Sequence, residues 1–457
     1  MTAFAASSQL LPAREQMAFT LGFHIVLASM GVAFPAITLA ANWWGVRRND
    51  ETAITLARRW SKAMAVLVAV GAVTGTVLSF ELGLLWPGLM SRFGSVFGIP
   101  FAVEGIFFFT EAIFVALYLY GWDRLSARAH LWTGVPIVVA GIGGALAVVA
   151  ANSWMNQPGG YRLDAAGHVT DVSPLHVIFN RATTYEVPHM LVAAYMLAGF
   201  LVASVYGAGM LRGRRDRYHR LGFTIPFTIA AIMTPIQFAV GDTAARAIAH
   251  DQPAKFAAME YVTKTGGHQT EYVGGWLKDG KVHGGIPIPD LDSILVGFSP
   301  SKKVIGLDQI PPRNRAPRPT VVHLAFDAMV GLASALLALV AWFAFVWWRR
   351  RELPESRWFW RGAAVAGLAA VAAMESGWVV TEVGRQPFVV YGVLRTSDAV
   401  TGAHGLWLSF AIVLVLYTAI GAATVALLRG MARRWREGSE DAVGDVPYGP
   451  RAKASGP

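Results

Sequence analysis

The chain has 457 residues, 54% of them hydrophobic and 15% charged, with a mean hydropathy of +0.44. Soluble domains carry about 25% charged residues, so this composition excludes an ordinary soluble globule and specifies an integral membrane protein. The formal charge of +10 does not point to nucleic acid, because the basic residues cluster between apolar runs as topology determinants do. With no cysteine, disulfides, thiolate-held zinc or iron–sulfur clusters and C-x-x-C-H haem attachment are excluded, and any metal has to be held by His, Met, Glu or Asp.

About twenty apolar residues cross a hydrocarbon core. Nine runs qualify in chain order: 17–44, 61–86, 101–122, 130–153, 186–211, 221–241, 320–348, 359–383 and 404–429. The first lacks the basic flank and small-residue cleavage site of a signal peptide and is expected to be a retained helix. Basic clusters follow alternate runs: Arg47, Arg48, Arg58, Arg59 and Lys62; Arg124 and Arg128; Arg212 to Arg220; Arg349 to Arg361; and Arg429 to Arg436. The positive-inside rule then predicts an all-α integral membrane protein of about nine transmembrane helices, with its N-terminus outside and its C-terminus cytoplasmic. The expected organisation is helices one to six over 1–241, an external loop over 242–319, helices seven to nine over 320–436 and a cytoplasmic tail over 437–457. A connection as long as 242–319 is usually functional or disordered.

Depth along each run follows from about 1.5 Å per helical residue. His24, Glu81, Glu104, Glu111, His189, Met329, Glu375 and Glu382 all fall towards the expected outer side, and the inner half of the runs holds almost no ionisable group. Glu104 and Glu111 stand seven apart on one helical face. Each member has a plain alternative: a lone His can be an interhelical hydrogen-bond partner, Met329 can be packing, and Glu81 and Glu382 lie near enough to the interface to be solvated. Carboxylates at the depth of Glu104, Glu111 and Glu375 need a partner, a proton or a metal. Together the residues point to metal or proton handling. A His/Met axial pair suits a low-spin haem that passes electrons, and a haem iron with one protein ligand keeps a face open for oxygen. The competing reading is a haem-free transporter or channel with a carboxylate proton relay, although neither an inverted repeat nor a midplane site is apparent.

Several segments resemble subunit I of the cytochrome bd-type quinol oxidases over nearly the whole length. They are LGFHIVLA around His24, FAVEGIFFFTEAIF with YGWDRL, NSWMNQP at 152–158, VPHMLVAAYMLAG, GDTAA with DQPAKFAAME, LAFDAMVG and MESGWVVTEVGRQPF. The resemblance is to members with a short quinol loop, of the cyanide-insensitive-oxidase type. It implies an enzyme that oxidises quinol at the outer face of the bacterial cytoplasmic membrane and reduces O2 to water, generating proton motive force without pumping.

Position by position, the resemblance makes His189 and Met329 the axial ligands of a low-spin haem b. His24 and Glu375 become ligands of a high-spin haem b and a haem d, or of a third haem b in its place. Glu104 and Glu111 become the acidic pair beside the oxygen-reducing haem, with Glu104 also a candidate sixth ligand. Lys255 and Glu260 take the quinol-oxidation positions, with Glu260 accepting a proton and Lys255 orienting the head group or tuning Glu260. Arg385 and Gln386 serve in propionate binding or structural support. The implied partners are the bilayer, subunit II, a small single-helix accessory subunit in some members, quinol and O2. The chain departs from many relatives in carrying Asp327, where they have a basic residue two positions before the ligand Met.

Overall fold

Residues 2–165 and 167–437 are described by the structure, a computed structural model; apart from Glu437, the expected tail lies outside the described residues. In chain order the elements are α1 (Thr2–Arg48), α2 (Glu51–Leu85), α3 (Pro87–Tyr120), α4 (Ala127–Asn156), β1 (Arg162–Leu163), β2 (Val169–Thr170), α5 (Pro174–Ile178), α6 (Thr183–Leu211) and α7 (Arg217–Asp251). Next come α8 (Pro253–Met259), β3 (Glu271–Val273), β4 (Trp276–Lys278), β5 (Lys281–His283), β6 (Ile286–Ile288), α9 (Leu291–Gly297), α10 (Pro319–Arg350), α11 (Arg357–Gly384), β7 (Phe388–Val390), β8 (Leu394–Arg395), α12 (Thr396–Ala399) and α13 (Leu406–Glu437). Among the described residues, nine of these helices (α1–α4, α6, α7, α10, α11 and α13) are long and apolar enough to span a membrane.

Helix is the form that satisfies every backbone donor within one apolar segment, and polar caps set where several of these helices begin. Asp50 accepts from the Thr52 and Ala53 amides, Ser126 from Ala129, Asp216 from His219 and Ser356 from Trp358. All four caps lie at the basic-cluster ends of their helices, where an N-cap oxygen satisfies otherwise orphaned donors.

Two helices overrun the apolar windows. α3 begins at Pro87, fourteen residues before the expected 101, and carries Pro100 inside it; a membrane helix tolerates the missing N–H because neighbouring groups compensate. α7 continues to Asp251, ten residues past 241, through the polar stretch GDTAARAIAHD. It stops where Gln252 precedes Pro253, a position that disfavours the α conformation.

α6 is the best-buried span and packs on α7 and α11 through glycines. A Cβ on Gly199 would lie 2.7 Å from the Pro226 carbonyl, and one on Gly367 would lie 2.7 Å from Leu201 Cα and Ser204 Oγ. Small residues at such crossings let helix backbones approach closely. Phe223, Phe227, Phe343, Phe359 and Trp360 fill the end of this core nearest the basic clusters.

The long connection is ordered. β3 pairs with β6, and nested inside them β4 pairs with β5. The inner hairpin turns at Asp279-Gly280, both with positive φ, the two-residue turn that Asp-Gly favours. Leu277 N donates to Thr320 Oγ1 (3.2 Å) and Gly274 N to Asp327 Oδ2 (2.5 Å), fastening the hairpins to the first turns of α10.

Candidate functional site

The first part of the site lies between α1, α2, α10 and α11. His24 Nδ1 is 2.9 Å from Thr74 Oγ1, and that hydroxyl has its own acceptors in the Val70 and Gly71 carbonyls. Nδ1 therefore carries the proton donated to Thr74, and the Nε2 lone pair is left free, the arrangement that orients a metal-ligating imidazole. A Cβ on Gly75 would stand 3.0 Å from the His24 ring. Glu375 approaches α1 in the same way: a Cβ on Gly22 would be 3.1 Å from Glu375 Oε2, and Oε1 is buried without a hydrogen-bond partner. One turn of α1 thus sets His24 and Glu375 at one level. Met329 joins them there, since its Sδ would be 3.0 Å from a Cβ on Gly377, two residues beyond Glu375.

His189 lies between α6 and α7. Its ring nitrogens are 3.2 and 3.3 Å from Gln237 Nε2, and a Cβ on Gly241 would stand 3.5 Å from it. His24, His189, Met329 and Glu375 therefore each face a glycine on a neighbouring helix; a Cβ would crowd the ligand at Gly75 (3.0 Å), Gly22 (3.1 Å) and Gly377 (3.0 Å) and would make ordinary contact at Gly241 (3.5 Å). Among the described residues no three His, Asp or Glu side chains converge to chelate a bare ion. Separate imidazole, thioether and carboxylate donors, one of them with a buried unpartnered oxygen, fit haem, whose iron takes only one or two protein ligands.

Glu81 differs from the solvated reading, whereas Glu382 keeps 30% of its side chain exposed. Glu81 is buried and receives Gln16 Nε2 (2.7 Å) and Thr20 Oγ1 (2.5 Å), one turn of α1 before His24. Glu382 accepts from Asn152 Nδ2 (2.8 Å) and pairs with Arg385. Glu104 and Glu111 stand on the α3 face as expected, and Glu111 Oε1 is buried and unpartnered. The chain of close contacts that joins the other members does not include this pair.

The GRQP stretch divides its labour. Gln386 is fully engaged by protein: its Oε1 accepts from Arg14 and from Thr396 Oγ1 (2.8 Å), and its Nε2 donates to the Glu382 carbonyl (3.3 Å). Arg385 keeps Nε and Nη1 buried and unpartnered, and so does Arg14 for its Nε. Spare guanidinium donors suit a carboxylate such as a propionate. Arg14 was not singled out in the sequence; its only signal there was an Arg at the start of an apolar run.

Lys255 and Glu260, five residues apart at α8, part company. Lys255 is 1% exposed and its Nζ donates to Asn156 Oδ1 (3.1 Å). Asn156 in turn donates to Glu186 Oε1 (2.9 Å), and Ser153 donates to Oε2 (2.8 Å). Burial lowers the Lys255 ammonium to about 8, opposed by Glu186 and Glu382 and reinforced by Arg385. Gly384 makes room for the lysine stem, since a Cβ there would stand 2.8 Å from Lys255 Cγ. Glu186 is the second residue that sequence reasoning missed; it sits one turn before His189.

Glu260 is also buried, but among acids. Its carboxyl is raised well above the usual range by desolvation and then by Asp292, Glu271 and Asp327. Lys255 therefore does not tune Glu260: its counter-charges are Glu186 and Glu382. Next to Glu260, Tyr261 takes a left-handed φ of 54°, a conformation costing a non-glycine residue about 1 kcal/mol or more. Its ring is held against His323, with centroids 3.8 Å apart. His323 is fully buried, with Nδ1 2.6 Å from the Met259 carbonyl and Nε2 3.3 Å from Asp327. Asp327 thus clasps the loop through Gly274 and His323.

Among the described residues, nine helices long enough to span, a layer of imidazole, thioether and carboxylate donors and an ordered loop over buried acids suit a membrane-embedded redox protein, and the comparisons with known proteins agree. The family model for cytochrome bd terminal oxidase subunit I matches residues 12–435. The bd oxidase structure from Geobacillus thermodenitrificans superposes with a TM-score of 0.88 at 33% identity, covering 95% of this chain and 100% of that one. Cytochrome bd ubiquinol oxidase subunit 1 of Bacillus subtilis (strain 168) is 28% identical over 464 residues, 96% of each chain. Cytochrome bd-II ubiquinol oxidase subunit 1 of Escherichia coli (strain K12) is 28% identical over 500 residues, 92% of this chain and 95% of that one.

The chain belongs to the cytochrome bd terminal oxidase subunit I family. It is a quinol:oxygen oxidoreductase of the membrane, with haem as the family's cofactor, quinol as its substrate and a second subunit as its partner.

Proposed function

We propose that this is the haem-bearing catalytic subunit of a terminal oxidase of the bacterial cytoplasmic membrane, with its N-terminus and quinol loop outside and its C-terminus cytoplasmic. It oxidises quinol at the outer face, reduces O2 to water and generates proton motive force without pumping, because protons leave on the loop side while those for water enter from the other. The observation that carries the reading is the seating of His24, His189, Met329 and Glu375, each against a glycine of an adjacent helix.

His189 and Met329 would hold a low-spin haem b; His24 and Glu375 would each hold one of a high-spin haem b and a haem d, or a third haem b in its place. Bound haem supplies one-electron transfer and an iron at which O2 is reduced. Around it, Arg385 and Arg14 bind carboxylate through their spare donors, and Gln386 fixes the turn that carries Arg385. Glu104 and Glu111 hold protons near the oxygen site, with the unpartnered Glu111 oxygen as the transfer point. Glu260 accepts a proton from quinol docked on the loop, its raised affinity bringing it towards working pH. Lys255 anchors the loop to α4 and α6 through Asn156 and Glu186. Subunit II completes the assembly and supplies much of the proton path from the cytoplasm, with a single-helix accessory subunit as a further partner.

The test is the absorption spectrum of the purified two-subunit enzyme. A Soret band with low-spin b features is expected, and His189→Ala or Met329→Leu should each abolish those features while the high-spin bands persist. Survival of the low-spin signal in both variants overturns the assignment.

A further inference from the structure

The loop holds one buried acid to which the proposed chemistry has given no role. Asp292, in α9, is 1% exposed, and neither of its carboxylate oxygens has a hydrogen-bond partner. Buried carboxylates are normally paired, hydrogen-bonded or protonated. Its neighbours supply no cation. Glu271, on β3, also has a buried, unpartnered oxygen, Oε2, and Ser293 beside Asp292 receives the Gln269 amide (3.0 Å), which ties α9 to the strand carrying Glu271. From the α10 side come Asp327 and His323, engaged with each other and with loop backbone. From α7 comes Arg246, which is bound to Asp242 at 2.9 Å and lies 3.8 Å over the Phe298 ring.

We infer that Asp292 is a working member of the quinol-oxidising site, forming with Glu260 and Glu271 a carboxyl relay that passes quinol protons towards solvent. The inference rests on the reading of Glu260 as the first acceptor. Two quinols oxidised to quinone release four electrons, which the enzyme delivers to O2, and four O–H protons; a single buried carboxylate can hold only one of these at a time. The exposure gradient has the direction a relay needs, because Glu260 and Asp292 are buried and Glu271 is partly exposed. Asp292 is raised to about 8 by desolvation and then by Glu271, and Glu260 is raised by burial and then most strongly by Asp292. Each of these carboxyls disfavours ionisation of its neighbour, so the three are not all ionised together and the group can share protons.

The experiment compares two electron donors to the intact two-subunit oxidase. One is a short-chain quinol, ubiquinol or menaquinol, which must lose protons as it is oxidised. The other is tetramethyl-p-phenylenediamine with ascorbate, in which the diamine gives electrons without protons. Asp292→Asn is expected to lower quinol-driven O2 uptake by about tenfold or more, less than the roughly 10²–10⁴-fold of a first general base because Asp292 passes the proton on, with quinol KM within about twofold and diamine-driven uptake unchanged. It should also remove an inflection near pH 8 from the quinol rate profile. Asp292→Glu should recover most of the rate, and Glu271→Gln should slow it less.

Wild-type rate and profile in Asp292→Asn overturn the inference, and so does an equal loss with both donors, which marks a structural role. If Glu260→Gln abolishes quinol oxidation while Asp292→Asn does not, the relay alone fails. If Glu260→Gln is itself silent, the site reading fails with it.

Discussion

Two buried charged clusters stand five residues apart at α8, and they are built on opposite rules. Around Lys255, two acids, Glu186 and Glu382, meet two bases, Lys255 and Arg385, with Asn152, Asn156 and Ser153 filling hydrogen-bond positions. Around Glu260 the acids Glu271, Asp292 and Asp327 gather with His323 beside Asp327, and Asp292 is left unpartnered. A balanced cluster holds parts together, whereas an unbalanced one stores protons. The contrast separates an anchor from the proposed quinol site where the sequence motif QPAKFAAME joins them.

The sharpest way to break this division is to unbalance the anchor. Lys255→Met leaves Glu186 buried without its cation and should cost about 3–5 kcal/mol, seen as a large drop in thermal stability and in assembled enzyme. Adding Glu186→Gln should restore most of that loss. A Lys255 whose only role was to touch quinol would show neither effect.

Glu260→Gln should do the reverse. Quinol-driven O2 uptake should fall by roughly a hundredfold, within the range of lost general-base catalysis, while thermal stability and haem content stay near wild type. Gly384→Ala probes the seam between the clusters, because its Cβ would meet Lys255 Cγ at 2.8 Å. Overpacking of this kind costs about 1–3 kcal/mol, and its melting curve should show the loss without the catalytic defect of Glu260→Gln.

A further test concerns pH. Asp292 holds its proton up to about 8 in the folded chain against an ordinary 3.8. Between those values the folded state binds more protons than the unfolded one, so its stability falls as pH rises through that window. Asp292→Asn should therefore gain melting temperature over wild type progressively from pH 5 to pH 8. A constant difference would count against the raised Asp292.

The spans were legible because a hydrophobic window of about twenty residues is a local property, and the nine runs correspond to nine helices. Their ends were less so: α3 runs through Pro100 and α7 through a polar decade, since a helix ends where hydrogen bonding fails and not where hydropathy does. The candidates His24, His189, Met329 and Glu375 came from motifs, and the glycines opposite them became meaningful only once helices were paired. Glu186, Arg14 and Asp292 were not legible as functional candidates. Each is an ordinary charged residue in its own segment, and its partners or orphaned atoms arise from contacts tens to hundreds of residues away. Glu81 misled for the same reason, because proximity to a span end suggested water where the fold supplies Gln16 and Thr20.

The most direct test is a density map of the intact two-subunit oxidase. The account predicts iron within bonding distance of His24 Nε2, of the His189 ring, of Met329 Sδ and of the Glu375 carboxylate, with tetrapyrrole carboxylates near Arg385 and Arg14. A map in which these side chains bond only to other protein groups, with no tetrapyrrole in that layer, would contradict it.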